Sequence, residues 1–142
     1  MKALLAAVLL SAATSVAAEQ VRRFDGYEIH YNAFRADFLP ESIAKQFGLT
    51  RAPDRGLLNV TVLRPRSDET LESIEADVRV VVSQGDARSD VRMRPVREPG
   101  SVSYMGQFKV AGELPYNFEL QVKPFGSARS EKIRFRQVVE AQ

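Results

Sequence analysis

His30 is the only histidine in the chain and the only side chain whose ordinary pKa lies near neutrality, so imidazole chemistry has one place to happen. A general base there needs a Ser or Thr nucleophile and an orienting carboxylate within hydrogen-bond reach, in a concave pocket. The sequence marks neither partner, and no Gly-x-Ser-x-Gly elbow occurs. A hydrolytic enzyme using His30 is the alternative reading; the expected one is a hydrogen-bonded histidine on the polar face of a strand. His30, Met93 and Met105 together offer imidazole and thioether donors of the kind that copper takes. The three lack the local spacing of a metal motif, and no metal site is expected. The absence of Cys removes thiolate zinc sites, iron–sulfur clusters, a thiol nucleophile and disulfide bonds together. No catalytic residue and no cofactor are predicted.

The charged residues divide into three groups. Asp68, Glu69, Glu72, Glu75 and Asp77 could in principle serve paired-carboxylate glycoside chemistry. No Trp accompanies them as a sugar platform, and a solvated loop running into a polar strand face accounts for them. Lys132, Arg134 and Arg136 alternate along one face of a late segment that carries no acid on that face. Such a stripe suits an anionic partner, such as a membrane surface, an envelope polyanion or an acidic protein. Protection of an edge strand from pairing with other chains explains it more simply. Arg51–Gly56 (RAPDRG) contains a Pro-Asp-Arg-Gly turn, in which Pro presets φ and Gly tolerates positive φ. Its ordinary role is to connect a helix to a strand, but its charges also suit a binding loop. Asn59-Val60-Thr61 matches a glycosylation sequon and falls in the middle of a predicted strand. The candidate binding surface combines His30, Asn32, Arg51, Asp54, Arg55 and Asn59, with Tyr27 and Tyr31 anchoring the core beneath.

Those side chains need a scaffold, and its size is bounded. A chain of 142 residues fits one domain. With 20 Lys+Arg against 18 Asp+Glu, the net charge of +2 is not the field of a nucleic-acid binder. Lys2, the apolar run Ala3–Leu10 and the small-residue stretch Ser11–Ala18 read as a signal peptide cleaved after Ala18. The apolar run is too short and too rich in Ala for a membrane span, which needs roughly 20 apolar residues. The expectation is a signal peptide at 1–18 and an exported domain at 19–142, periplasmic and not membrane-embedded after cleavage. Without disulfides, core packing alone must hold that domain.

Period-two alternation dominates the rest of the chain, as in strands whose successive side chains leave opposite faces. Residues 116–124 set Tyr116, Phe118, Leu120 and Val122 against Asn117, Glu119, Gln121 and Lys123. Residues 74–82 and 102–110 repeat the pattern, as do Tyr27, Ile29 and Tyr31 near the start. Residues 57–63 and 131–139 are also strand-like, and 89–97 is a seventh strand in which Pro95 demands an edge or a bulge. One short helix is predicted near residues 40–47, with Pro40 at its first position, Gly48 just past its end, and Leu39, Ile43 and Phe47 on one side. It is too short to stand alone and must lie on a sheet. The fold predicted is all-β: a single antiparallel immunoglobulin-like β-sandwich of about seven strands with that one helix.

One hairpin can be read in register. With Gln84-Gly85 as a two-residue loop, Asp77 faces Arg92, Glu75 faces Arg94 and Arg79 faces Asp90, while Val78 meets Val91 and Ala76 meets Met93 inside. On that register Arg92 and Arg94 are neighbours of acids.

The segments His30-Tyr31-Asn32-Ala33-Phe34, Phe38-Leu39-Pro40 and Arg55-Gly56-Leu57-Leu58-Asn59 resemble a family of small exported gammaproteobacterial proteins known as domain of unknown function 4426. Ser103–Phe108 (SYMGQF) and Tyr116-Asn117-Phe118 resemble its second half. The resemblance implies a periplasmic β-sandwich of a Gram-negative bacterium and supplies no reaction, ligand or catalytic residue. The function expected is a non-enzymatic binding or interaction module of the cell envelope, its partner another envelope protein or a small ligand. Besides the enzyme, a structural or assembly role through a sheet edge is the other alternative.

Overall fold

The period-two segments do form strands. The structure, a computed structural model, describes residues 19–112 and 114–139; the predicted signal peptide at 1–18 lies outside the described residues. The first five strands are β1 (Gln20–Phe24), β2 (Tyr27–Arg35), β3 (Arg55–Pro65), β4 (Leu71–Ser73) and β5 (Ala76–Gln84). They are followed by β6 (Ala87–Val91), β7 (Arg94–Glu98), β8 (Ser101–Lys109), β9 (Pro115–Pro124) and β10 (Glu131–Val138). All pairings are antiparallel. The larger sheet runs β1-β2-β3-β8-β7, with β4 added beside β3, and the smaller runs β10-β9-β5-β6. Setting β1 and β4 aside, the two orders are those of an immunoglobulin domain, four strands over four.

The inward faces supply the core. Ile29, Leu58, Val60, Val62, Leu120 and Val122 are fully buried between the sheets, and each such aliphatic side chain stabilises the fold by roughly 1.5–3 kcal/mol. Tyr31 is buried as expected, its ring 4.8 Å from that of Phe135, and Tyr27, Ile74 and Val78 pack against the core from its margin. Tyr116 stands at the start of β9, and its hydroxyl accepts from the Ala111 amide at 2.7 Å. This is the tyrosine corner of immunoglobulin sandwiches, which ties the connection before the strand to the strand itself. Two residues on, Phe118 fills the place that a cysteine takes in antibody domains. It stacks on Phe135 at 4.7 Å and meets Phe108 edge-on at 5.3 Å, so aromatic packing stands where a disulfide would.

The helix α1 spans Glu41–Phe47, one residue later than a start at Pro40: Pro40 is its N-cap and accepts from the Ala44 amide at 3.0 Å. Gly48 closes it in the left-handed region at φ 65°, a conformation that favours glycine. Leu39, Ala44 and Leu49 pack with Leu57 on the outer side of the larger sheet, forming a second, smaller core.

Three expectations are corrected. There are ten strands among the described residues, not seven: the short β1 and β4 carry too few alternating positions to be read, and the segment 89–97 divides between β6 and β7. Residues 89–97 are not one strand. The chain leaves the smaller sheet after Val91, crosses through Arg92 and Met93, and joins the larger sheet as the edge strand β7, which carries Pro95. The hairpin loop is Gly85-Asp86, so Val80 rather than Val78 faces Val91 and Val81 faces Asp90. Gly85 has φ 57° at the first loop position, where a hairpin turn of the II′ kind takes glycine. The three predicted charge pairs do not form. Arg94 lies opposite Met105, Glu75 binds Arg97, and Asp77 lies 3.7 Å from Arg79 on its own strand.

Candidate functional site

The six predicted surface residues fall into two places. Asn32 and Asn59 are directly opposed on β2 and β3, and both side-chain oxygens are buried without a hydrogen-bond partner among the described residues. His30 lies two residues along the same outer face, opposite Thr61. Its Nε2 is 3.1 Å from Glu28 and its Nδ1 is 3.5 Å from Glu19, so carboxylates occupy both ring nitrogens. Toward the other end of that face, α1 covers Phe34 and Leu57. Beyond the helix lie Arg51, Asp54 and Arg55, on the connection into β3 and at its first residue. Six residues of strand separate the rows of His30 and Arg55, about 20 Å, so the structure does not bring these charges to His30. Arg51 reaches the Asp37 carbonyl at 3.4 Å, while Arg35 bonds the Asp37 carboxylate and holds its pKa below the ordinary value. Met93 packs against the main core and Met105 under α1, on opposite faces of the larger sheet, so the three donors considered for copper are apart.

Asp54 leads to a different site. At its end of the sandwich a cleft of about 610 Å³ opens between the two sheets. Val82, Gln84 and Ala87 of the β5–β6 hairpin form one wall; Asp54, Lys109, Val110 and Ala111 form the other, with Tyr116 between them. The cleft is chiefly apolar and carries charges of both signs at its rim. Gln84 Nε2 is buried there with no hydrogen-bond acceptor among the described residues. A buried amide donor without a partner costs free energy, and a ligand that supplies an acceptor recovers it. The size and the balance of apolar wall to few polar groups are those of a small-molecule pocket. Of the residues lining it, only Asp54 stood among the predicted surface residues. Gln84 is legible in hindsight: it continues the inward positions Val78, Val80 and Val82, and a polar residue at an inward position signals a mouth or a partner.

The opposite end carries tethered charge. Glu72 bonds Arg64 at 2.7 Å and Arg66 at 2.5 Å, and Glu75 bonds Arg97 and the Tyr104 hydroxyl, so guanidiniums hold both carboxyls below their ordinary pKa. Of the acidic stretch, Glu72, Glu75 and Asp77 are thus ion-paired within the fold, and Asp68 accepts from Thr70. On the outer face of the smaller sheet, Glu119 accepts from Arg134 at 3.1 Å and lies 3.8 Å from Lys132. These hydrogen-bonded and charged neighbours, Arg134 first, lower its pKa. β10 is an edge strand, and its charged stripe faces outward.

Comparison with known proteins places the chain. The crystal structure of a DUF4426 family protein from Pseudomonas aeruginosa PAO1 is similar at a TM-score of 0.72 and 25% identity, over 85% of this chain and 94% of that one. Among curated proteins there is no match. The model of a domain of unknown function, DUF4426, matches residues 21–139, and the chain, an all-β sandwich with immunoglobulin strand order, belongs to that family.

Proposed function

We propose that the protein is a non-enzymatic binding module of the cell envelope, exported through the signal peptide at 1–18, and that it receives its ligand in the cleft between Asp54 and the β5–β6 hairpin. The observation that carries this reading is the unpartnered Gln84 amide inside a cleft of about 610 Å³. Rigid sheets with exposed connections at their ends are a scaffold suited to binding, and this end gathers the connections before β3, between β5 and β6, and before β9. The chemistry of the walls selects an apolar group bearing a hydrogen-bond acceptor: the side chain and carbonyl of a partner's segment, or a small amphiphile.

Affinity capture from periplasmic extract on immobilised residues 19–142, followed by native mass spectrometry of the eluate, tests it. The expected result is a protein or small molecule held by the wild type and lost on Ala87→Trp, which fills the cleft, and on Gln84→Leu, which removes the donor. Retention of the same species by both folded variants overturns the assignment. A reproducibly empty eluate from the wild type overturns the binding reading itself.

A further inference from the structure

The outer face of the smaller sheet holds more positive charge than its share. Arg79, Arg88, Lys123, Lys132, Arg134 and Arg136 project from it against only Asp77, Asp90 and Glu119. The registers sort these charges into rows across the strands. Lys132 and Arg134 are engaged by Glu119, and Arg79 lies beside Asp77. The last row reads Arg88, Ser83, Asn117, Arg136 from β6 to β10. It contains no acid, and neither arginine has an ion-pair partner among the described residues. Three strand spacings separate their backbones, about 14 Å, and both side chains line one depression of about 450 Å³ together with Ser83, Asn117, Glu119 and Arg134.

We propose that this row is a binding site for a phosphate-type oxyanion, with Arg88 and Arg136 as the two clamping cations and the Ser83 hydroxyl and Asn117 amide as donors between them. Neither guanidinium stands in an ion pair among the described residues, and their planar forks present paired donors to the oxygens of a group of charge near −2. Asp90 and Glu119 stand in the next row, and Glu119 lines the same depression; Arg134 and Lys132 bind it at 3.1 and 3.8 Å, whereas Arg88 acts on it through charge at longer range. The site opens on the outer face and the cleft lies between the sheets, with Ser83 and Arg88 at the boundary of the two.

Titration with phenyl phosphate, followed by backbone amide shifts of the wild type, tests the proposal. Saturable shifts confined to residues 81–90, 115–119 and 134–138 are expected, with affinity reduced at least tenfold by Arg88→Gln and by Arg136→Gln. Arg79→Gln, on the same face outside the row, should change affinity less than twofold. An equal loss with Arg79→Gln, or shifts scattered over the face, means a diffuse field and overturns the site; absence of shifts does the same. Cosedimentation with phosphatidylglycerol vesicles, competed by phenyl phosphate, distinguishes the sources. Competed sedimentation identifies a lipid headgroup, and titration shifts without sedimentation identify a soluble phosphate ester.

Discussion

Tyr116 has two roles, one for its hydroxyl and one for its ring. The hydroxyl caps the Ala111 amide at 2.7 Å, and the ring lines the cleft beside Val110. Removing the hydroxyl leaves a half-buried backbone donor unpaired, a loss of about 1–3 kcal/mol. Tyr116→Phe is therefore expected to lower the free energy of unfolding in urea by that amount while leaving the strands intact by circular dichroism. Unchanged stability would show that water replaces the hydroxyl at no cost. His30 illustrates the opposite relation between residue type and role. It is the single histidine of the sequence, yet its side chain is only 18% exposed and lies between Glu28 and Glu19, as a strand histidine on a polar face would.

Among the elements, the passage from β6 to β7 shapes the sandwich most. The chain changes sheets there, and Arg92–Met93 passes directly against Gly106 of β8. A Cβ at Gly106 would stand 2.5 Å from the Met93 sulfur, 2.7 Å from Val91 Cγ1 and 2.8 Å from the Arg92 carbonyl oxygen. The sulfur can swing aside; the carbonyl belongs to the backbone and cannot. Gly106→Ala should therefore destabilise the fold by roughly 1–3 kcal/mol, measured by chemical denaturation, and Met93→Ala should restore only part of the loss. Full restoration would mean that the side chain alone sets the contact. The β5–β6 hairpin shows why its predicted register failed without harm to the core. A shift of two residues moves every partner but keeps every side chain on its face, whereas a shift of one would have reversed them.

For the whole molecule, stability follows ionised carboxylates as well as packing. Arginines bonded to Asp37, Glu72, Glu75 and Glu119, and the Thr70 hydroxyl bonded to Asp68, lower all five pKa values in the folded state. A folded pKa below the unfolded one stabilises the protein above the unfolded value, and the gain is lost as pH falls through the folded value. The urea midpoint is expected to hold from neutrality to the ordinary values, 4.5 for Glu and 3.8 for Asp, and to drop below them. Glu75→Gln should sit below the wild type at neutral pH and converge with it in acid. A gap that widened in acid would contradict the assigned pairing.

Local chemistry was enough to indicate the all-β class, the inward faces of the long strands, the helix on its sheet and the exclusion of Pro95 from a regular central strand, because strand and helix periods are properties of consecutive residues. Val80, Leu120 and Val122 are buried for the reason their alternation gives. The short β1 and β4, the sheet change at Arg92–Met93 and the meeting of Glu75 with Arg97 could not be read in that way. β1 and β4 pair with their chain neighbours and are too short to show the alternation, whereas the sheet change and the Glu75–Arg97 pair depend on segments distant along the chain, where charges of equal merit compete for the same partner. The cleft and the Arg88–Arg136 row are of this second kind: five strands of two sheets had to be set in register before their residues shared a wall or a row.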